Sequence, residues 1–523
     1  MVQKDTSITT TQLGSLAKPM LYAALFVLCS FSGCICSGTN NSNADLESLT
    51  FSTGTLSPTF DKNTTEYTLK LHLDTTELTL TPTAVAGIWP LIRISITTSP
   101  RVYPVVSGNE STGITIEPGT SVLTVKVKSP DKKVEKSYNI TITKAVTDEE
   151  SLLRGSDTAN SDEFGTSIAV SGDTMVVGAQ QQGGVGNYIG AAYVFTRSGT
   201  TWVQEAKLTA SDGAPDDLFG ISVSIYGNTI AVGAQYESTT QNRSGAVYIY
   251  TRSGSTWTEQ LKIKAPTIGA DYYFGTSVAV YDGVLVVGEI NHNSDYSGAI
   301  HIYEGSGSSW PYVTTLTASD AVANNMFGTS VAASAGTIVV GSDGNNNNTG
   351  AVYVITNSTG TWIERAILVA AGSYPFCYAG YSVAIYGTLI VIGAPGESTV
   401  ANASGAFYMF AGSDATWVQQ GTIFKANTPV ADDYMGLSVA IDGNIIVAGA
   451  PGIATPPATG RGSVYVFMRN SSYSWIQAGD PVTAPDGVAG DNLGISVGIY
   501  GDRVVSGAYH HGLNDSGAVY TFY

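Results

Sequence analysis

A short apolar phrase returns seven times in the last three-quarters of this chain, and that repetition constrains the fold more than any other feature. It reads FGTSIAV around Gly165, then FGISVSI (Gly220), FGTSVAV (Gly275), FGTSVAA (Gly328), AGYSVAI (Gly380), MGLSVAI (Gly436) and LGISVGI (Gly494), at separations of 55, 55, 53, 52, 56 and 58 residues. A second marker follows each one, at Gly190-Ala191, Gly245-Ala246, Gly298-Ala299, Gly350-Ala351, Gly405-Ala406, Gly462-Ser463 and Gly517-Ala518, and leads into an apolar strand such as AVYIY. Each unit therefore predicts four strands: one like SVSI, one like TIAVGA, one like GAVYIY, and one begun by Trp, as in Trp202 to Leu208. The first two are joined by a hairpin turn such as Tyr226-Gly227-Asn228. Four antiparallel strands repeated radially make a propeller blade, so the expectation over residues 148–523 is an all-β, seven-bladed β-propeller.

The two ends of the repeat region carry a prediction about closure. The last unit stops at Tyr523 after its third strand, and only six Trp residues (202, 257, 310, 362, 417 and 475) open a fourth strand. The missing strand is expected near Leu153-x-x-Ser156-Asp157, which matches Leu208-x-x-Ser211-Asp212 and Leu316-x-x-Ser319-Asp320. A blade built from both ends would remove the exposed edges of an open array.

Composition agrees and excludes some functions. Of 523 residues, 59 are Gly and 43% are hydrophobic, while only 13% are charged. That is too apolar for disorder and too rich in turns for a helical protein. Lys and Arg number 24 against 42 Asp and Glu, a net charge of −18, so a phosphate backbone is repelled and no nucleic acid partner is expected.

The amino terminus is laid out as an export signal: Lys4 and Lys18 precede the apolar run Met20 to Cys36, after which the chain turns polar. The run is short for a span, which needs about 20 apolar residues. Phe31-Ser32-Gly33-Cys34 resembles the bacterial lipobox, which implies lipidation of Cys34; a plain cleaved signal and a retained anchor are the alternatives. Each places the rest of the chain outside the cytoplasm, in the membrane-anchored case at the cell surface. Residues 1–36 are thus read as the signal and 37–45 as a linker. Cys29, Cys36 and Cys377 do not form a disulfide framework.

Residues 46–145 contain period-two stretches, Tyr67–Leu71, Leu78–Leu80, Ile114–Ile116, Leu123–Val127 and Tyr138–Ile142, with turn signals between them at Ser57-Pro58, Glu117-Pro118-Gly119 and Ser129-Pro130-Asp131. They predict an antiparallel β-sandwich. The ordered series Leu49-Thr50-Phe51-Ser52, Leu56-Ser57-Pro58-Thr59-Phe60-Asp61, Thr65-Glu66-Tyr67-Thr68, Glu117-Pro118-Gly119 and Lys136 to Ile142 resembles the bacterial cadherin-like β-sandwich domain. The resemblance implies a spacer or interaction module without catalysis and without the cadherin calcium ligands.

The repeats themselves resemble FG-GAP repeats, the blades of the integrin alpha-chain propeller. In that family several blades carry a calcium loop of Asp-x-Asp-x-Asp-Gly type between the first two strands. Here those turns hold only Ser171-Gly172-Asp173, Tyr226-Gly227-Asn228, Tyr281-Asp282-Gly283, Ala335-Gly336, Tyr386-Gly387, Asp442-Gly443-Asn444 and Tyr500-Gly501-Asp502. One carboxylate per tight turn cannot supply the six to eight oxygens that calcium takes, so no metal and no cofactor are expected.

Strand order puts the fourth-to-first and second-to-third connections on one face, which is the candidate binding face. Its candidate ligand-binding residues are Tyr188, Tyr236, Asp271, Tyr296, Tyr509 and His510, with amide-rich loops at 235–244 and 343–349. The many loop aspartates (157, 162, 212, 216, 217, 432, 433, 486 and 491) read as turn chemistry, the side chains bonding nearby backbone. His510 and His511 are adjacent and would diverge on a strand, and Tyr193, Tyr248 and Tyr465 read as packing residues. No nucleophile–base constellation, zinc spacing or phosphate loop stands clear of the repeat pattern. The expected function is therefore a non-enzymatic, exported surface protein that binds a protein or glycan; an envelope scaffold and a propeller hydrolase are the alternatives.

Overall fold

The computed structural model describes residues 42–523, apart from 74, 86–89, 147–148, 185, 358–359, 453–459 and 513–514. The export signal and Cys34 lie outside the described residues.

In the first module the alternation becomes a sheet with one buried face: along Glu66–Leu71, Tyr67, Leu69 and Leu71 are buried and the residues between them exposed. The six-stranded sheet runs in the order Leu56–Ser57, Glu66–Leu71, Glu135–Lys144, Gly119–Lys128, Leu91–Ile96, Ser99–Val105. Two short pairs, Leu46–Phe51 with Leu80–Ala84 and Glu77–Leu78 with Ile114–Thr115, share its apolar core of Leu46, Leu80, Ile94, Ile114, Val125 and Ile140. One pairing departs from the expected antiparallel arrangement. Glu135–Lys144 runs parallel to Glu66–Leu71, Asn139 opposite Glu66 through Lys144 opposite Leu71. A parallel pair needs a long crossover, and residues 72–134 provide it.

The repeats form seven four-stranded sheets. In the first, Phe164–Ser171, Thr174–Ala179, Ala191–Ser198 and Thr201–Leu208 lie side by side in chain order, all antiparallel. The second strands are covered on both faces, as in the wholly buried Thr174–Ala179, which is why they read as unbroken apolar runs. The seventh sheet joins Val497–Tyr500, Arg503–Ala508 and Ala518–Phe522 to Glu149–Leu153 from the start of the region. Ser151 is opposite Thr521, Leu152 opposite Tyr520 and Leu153 opposite Val519.

The two sequence markers meet at the seams between sheets. Phe274 NH donates to the Ser244 carbonyl (3.2 Å), and a Cβ on Gly245 would lie 2.0 Å from the Phe274 carbonyl oxygen. Only glycine fits there, and its φ of +83° suits glycine as well. The serine of each first strand ties its sheet to the next: Ser167 Oγ donates to the Gly220 carbonyl (2.8 Å), Ser222 to Gly275, Ser277 to Gly328, Ser330 to Gly380, Ser382 to Gly436 and Ser438 to Gly494. A seventh such bond runs from Ser496 in the last sheet to Gly165 in the first, at 2.6 Å. First strands of all seven sheets line a cavity of about 670 Å³.

The sandwich packs against the sixth and seventh sheets. Leu73 and Val146 join the cluster that contains Val447, Val466 and Phe522, and the His72 ring lies 3.9 Å from that of Tyr523. Glu117 accepts from Ser471 NH (3.0 Å). Ser471 is in a third-to-fourth-strand turn and Tyr523 follows a third strand, so both lie at the end of the sheets opposite the second-to-third loops.

Candidate binding face

The fourth-to-first loops share an unusual backbone. The residue before each repeat's Phe-Gly-type pair is left-handed in all seven units, with φ of 55° to 60° at Glu163, Leu218, Tyr273, Met326, Tyr378, Tyr434 and Asn492. Such residues cost about 1–3 kcal/mol and persist where their surroundings over-determine them. Here the seam does so: Tyr273 NH donates to the Arg243 carbonyl (3.2 Å) and Leu218 NH to that of Tyr188 (3.2 Å).

This loop geometry assembles one aromatic row. The Tyr273 ring lies 5.5 Å from Tyr236 and 6.4 Å from Tyr296, all three half-buried, and the Arg243 guanidinium sits 4.8 Å from the Tyr236 ring centre. Burial, then contact with Tyr296, pushes the Tyr273 hydroxyl above its ordinary value. Tyr236 and Tyr296 were candidates from sequence; Tyr273 and Arg243 were not. The available signal was tyrosine in three of seven units at that position (273, 378 and 434), masked by Glu, Leu, Met and Asn in the others.

The remaining candidates separate. Asp271 borders the row but serves as a latch: its NH donates to the Asn242 carbonyl (2.7 Å) and its carboxylate accepts from Asn242 Nδ2 (3.1 Å). Asn402 and Asp432 repeat that latch (2.7 and 2.8 Å). Tyr188 is half-buried in the seam between the first and second sheets, and no ring contact joins it to the row among the described residues. The Tyr509 and His510 rings lie 3.9 Å apart, tilted by 35°, at the junction of the seventh and first sheets, where His510 Nδ1 is 3.2 Å from Asp515. Burial, then the nearby Glu163, pushes the Tyr509 hydroxyl up. The histidine pair occupies a turn beyond Arg503–Ala508 rather than a strand, yet the two side chains do diverge: His511 is buried and bonds Asp491 (2.8 Å).

Several loop aspartates are occupied inside the fold. Asp162, Asp217 and Asp491 accept from backbone NH groups three residues earlier, at 2.7, 2.8 and 2.8 Å. Asp157 and Asp212 each hold a buried tyrosine and a lysine: Tyr193 (2.8 Å) and Lys207 (2.6 Å), and Tyr248 (2.8 Å) and Lys262 (2.6 Å). Tyr465 bonds Asp433 (3.1 Å). Cys377 is buried, its thiol donating to the Thr349 carbonyl (3.1 Å), and burial pushes its pKa up.

No helix among the described residues is long and apolar enough to cross a membrane. No curated protein matches the sequence. Among solved structures, the crystal structure of Saccharomyces cerevisiae Sqt1 is similar at 10% identity and a TM-score of 0.39, covering 73% of this chain and 99% of that one. The cadherin-like beta sandwich domain model matches residues 46–145. The FG-GAP repeat model matches seven times, at 147–195, 202–250, 257–303, 310–355, 362–410, 417–467 and 480–522. With more than half its length so matched, the chain belongs to the FG-GAP repeat family and carries a cadherin-like β-sandwich domain ahead of its repeats.

Proposed function

We propose that this is an exported cell-surface binding or adhesion protein, not an enzyme, whose repeats form a closed seven-bladed propeller that recognises a protein through the Tyr236–Tyr273–Tyr296 row. The family architecture supports the extracellular, protein-binding character. The observation that carries the reading further is the row itself: three half-buried tyrosines and an arginine on one loop face, the residue types that concentrate binding energy in protein interfaces. The sandwich packs at the opposite end of the sheets, which leaves the loop face clear when the amino terminus is tethered. Cys34 is the proposed point of lipidation for that tether, and a glycan in place of a protein is the variant that the test also reads.

The test is binding of the exported chain to immobilised extracellular-matrix proteins and to a glycan array, beside the triple variant Tyr236→Ala, Tyr273→Ala, Tyr296→Ala. Loss of each anchor costs more than about 1 kcal/mol, so the triple variant is expected to bind at least about 100-fold more weakly with its melting temperature within a few degrees of wild type. Undiminished binding by the variant removes the row as the recognition surface. A wild type that binds neither set favours the envelope scaffold.

A further inference from the structure

The third repeat departs from the other six at one place, and the departures come together in space. Its second strand ends in Glu289, where the others end in Ala179, Ala234, Ser342, Ala394, Ala450 and Ala508. Its third strand carries His301, where the others carry Tyr193, Tyr248, Tyr353, Tyr408, Tyr465 and Tyr520. Thr315 lies opposite His301, where Lys207 and Lys262 lie opposite Tyr193 and Tyr248. Thr267 stands where Asp157 and Asp212 brace those tyrosines. Finally, His292 takes the place from which Glu237 reaches Lys262 (2.8 Å). The tyrosine–aspartate–lysine brace has thus been exchanged for a carboxylate and two imidazoles.

Glu289 is fully buried and His301 is 1% exposed; His292 is 14% exposed and is the way in. Glu289 Oε1 is 2.6 Å from His292 Nδ1, Glu289 Oε2 is 3.2 Å from His301 Nε2, and donor atoms of all three residues lie within 4.8 Å of one another. Glu289 Oε2 and His301 Nε2 are buried and, though 3.2 Å apart, make no well-aligned hydrogen bond with each other or with another described residue. Buried polar atoms are normally well bonded, and two that face one another without good alignment suit a shared third partner such as a bound ion. The other nitrogen of His301 is engaged: Nδ1 is 2.8 Å from Thr315 Oγ1, which in turn is 3.0 Å from the Tyr312 hydroxyl. Anchoring one imidazole nitrogen in this way leaves the other free to ligate and fixes the ring's orientation.

We propose that Glu289, His292 and His301 form a binding site for a divalent first-row transition ion of the zinc type, three protein ligands with a fourth position open. Zinc takes histidine nitrogen and carboxylate oxygen at about 2.0–2.2 Å, which in a tetrahedron places donors about 3.3 Å apart. Glu289 presents a different oxygen to each imidazole, so the ligand atoms, which lie within 4.8 Å of one another, close to that separation by side-chain rotation as one carboxylate oxygen engages the ion. The ion takes the place of the proton between the carboxylate and His292 Nδ1, and a neutral imidazole then carries its one proton on Nε2. The expectation from sequence that the chain holds no metal rested on the hairpin turns, on the divergence of His510 and His511 and on the lack of a recognised zinc spacing; this cluster instead joins a strand end to the neighbouring strand of the same sheet. The ion would also pin the loop at 290–298 that contains the row's Tyr296, but its binding does not depend on that row.

The full exported chain, stripped with chelator, is titrated with zinc chloride by calorimetry and with cobalt(II), whose visible absorption reports tetrahedral nitrogen and oxygen ligation. The wild type is expected to take one equivalent of zinc at micromolar affinity or better, and zinc to raise its melting temperature. His301→Tyr and Glu289→Ala each restore the residue usual at that place in the other repeats, so they preserve the fold; both are expected to weaken binding at least 100-fold and abolish the melting shift. His292→Ala, at the half-buried ligand, gives the same loss should either core variant fail to fold. A wild type that takes up no stoichiometric zinc, or zinc that these variants retain, overturns the site.

Discussion

Asp343 follows the second strand of the fourth repeat with 7% of its surface exposed and its Oδ1 without a hydrogen-bond partner among the described residues. Burial pushes its carboxyl up to about 6, against hydrogen bonds from Thr329 and local backbone. A raised carboxyl means the native state keeps a proton that the unfolded chain has already lost between about pH 4 and pH 6. Stability therefore falls as pH rises through that window, and the deficit is complete above it. Holding a carboxyl that far above its ordinary range costs about 3 kcal/mol once the group is ionised in both states. Asp343→Asn is expected to stabilise the chain by about 2–3 kcal/mol at pH 8, a gain that fades below pH 4, as read from urea denaturation at a series of pH values. A gain that does not vary with pH would trace to something other than this ionisation. The same scale shows why some residues spoke clearly in the sequence and others did not. Gly245 and its equivalents recur because a Cβ there would strike the neighbouring backbone, and backbone sterics admit one answer. The left-handed residue before each Phe-Gly-type pair was invisible because its side chain varies from Glu to Tyr while the seam alone dictates its φ.

At the scale of the element, several of the sheets are braced between their third strand and the loop entering them, as in Tyr193–Asp157, Tyr248–Asp212, Tyr353–Asp320 and Tyr520–Asp486. Tyr248 bonds Asp212 (2.8 Å) inside such a brace, whereas Tyr408 occupies the same place with its hydroxyl buried and unbonded among the described residues, because Gly372 replaces the aspartate. Tyr248→Phe is expected to cost about 1–1.5 kcal/mol, and Tyr408→Phe to be neutral or slightly stabilising, since it removes a buried polar atom with no partner. Equal effects in chemical denaturation would mean that the hydrogen bond adds nothing beyond ring packing. The strands of these blades were legible because apolar runs bounded by Gly and Trp carry their own pattern. The Glu289–His292–His301 group was not, because Glu289-x-x-His292 alone is no metal signature and His301, nine residues on, meets it only through the pairing of Val287 with His301. Its signal was present as a breach of the repeat at 289 and 301. A search for motifs passes over breaches, whereas alignment of the units against one another exposes them. The parallel pair in the sandwich was illegible for a related reason: alternation reports which face is buried but not which direction a neighbour runs.

At the scale of the whole molecule, the architecture rests on how the two ends of the repeat region are used. Six sheets are each built from one continuous stretch, and the seventh borrows Glu149–Leu153 from the far end of the array. In an open row of sheets, Ser151 and Thr521 would stand at opposite ends, separated by the full width of the array. Here they are directly opposed across an antiparallel pair. That opposition gives a covalent test. Ser151→Cys with Thr521→Cys is expected to form one intramolecular disulfide under mild oxidation, seen as faster migration on a non-reducing gel that reverts with reductant. Cross-linking so distant a pair constrains the unfolded chain strongly; the loop-entropy relation, which gives about 4.7 kcal/mol for a loop of about 100 residues, sets the scale of the stabilisation to be expected, less any strain in the native sheet. An array that opens in solution would instead leave the thiols reduced or yield covalent dimers, as the end strand of one chain completes the last sheet of another. Such an outcome would also displace the loop face, because the Ser496 to Gly165 bond that aligns the last sheet with the first could no longer form within one chain.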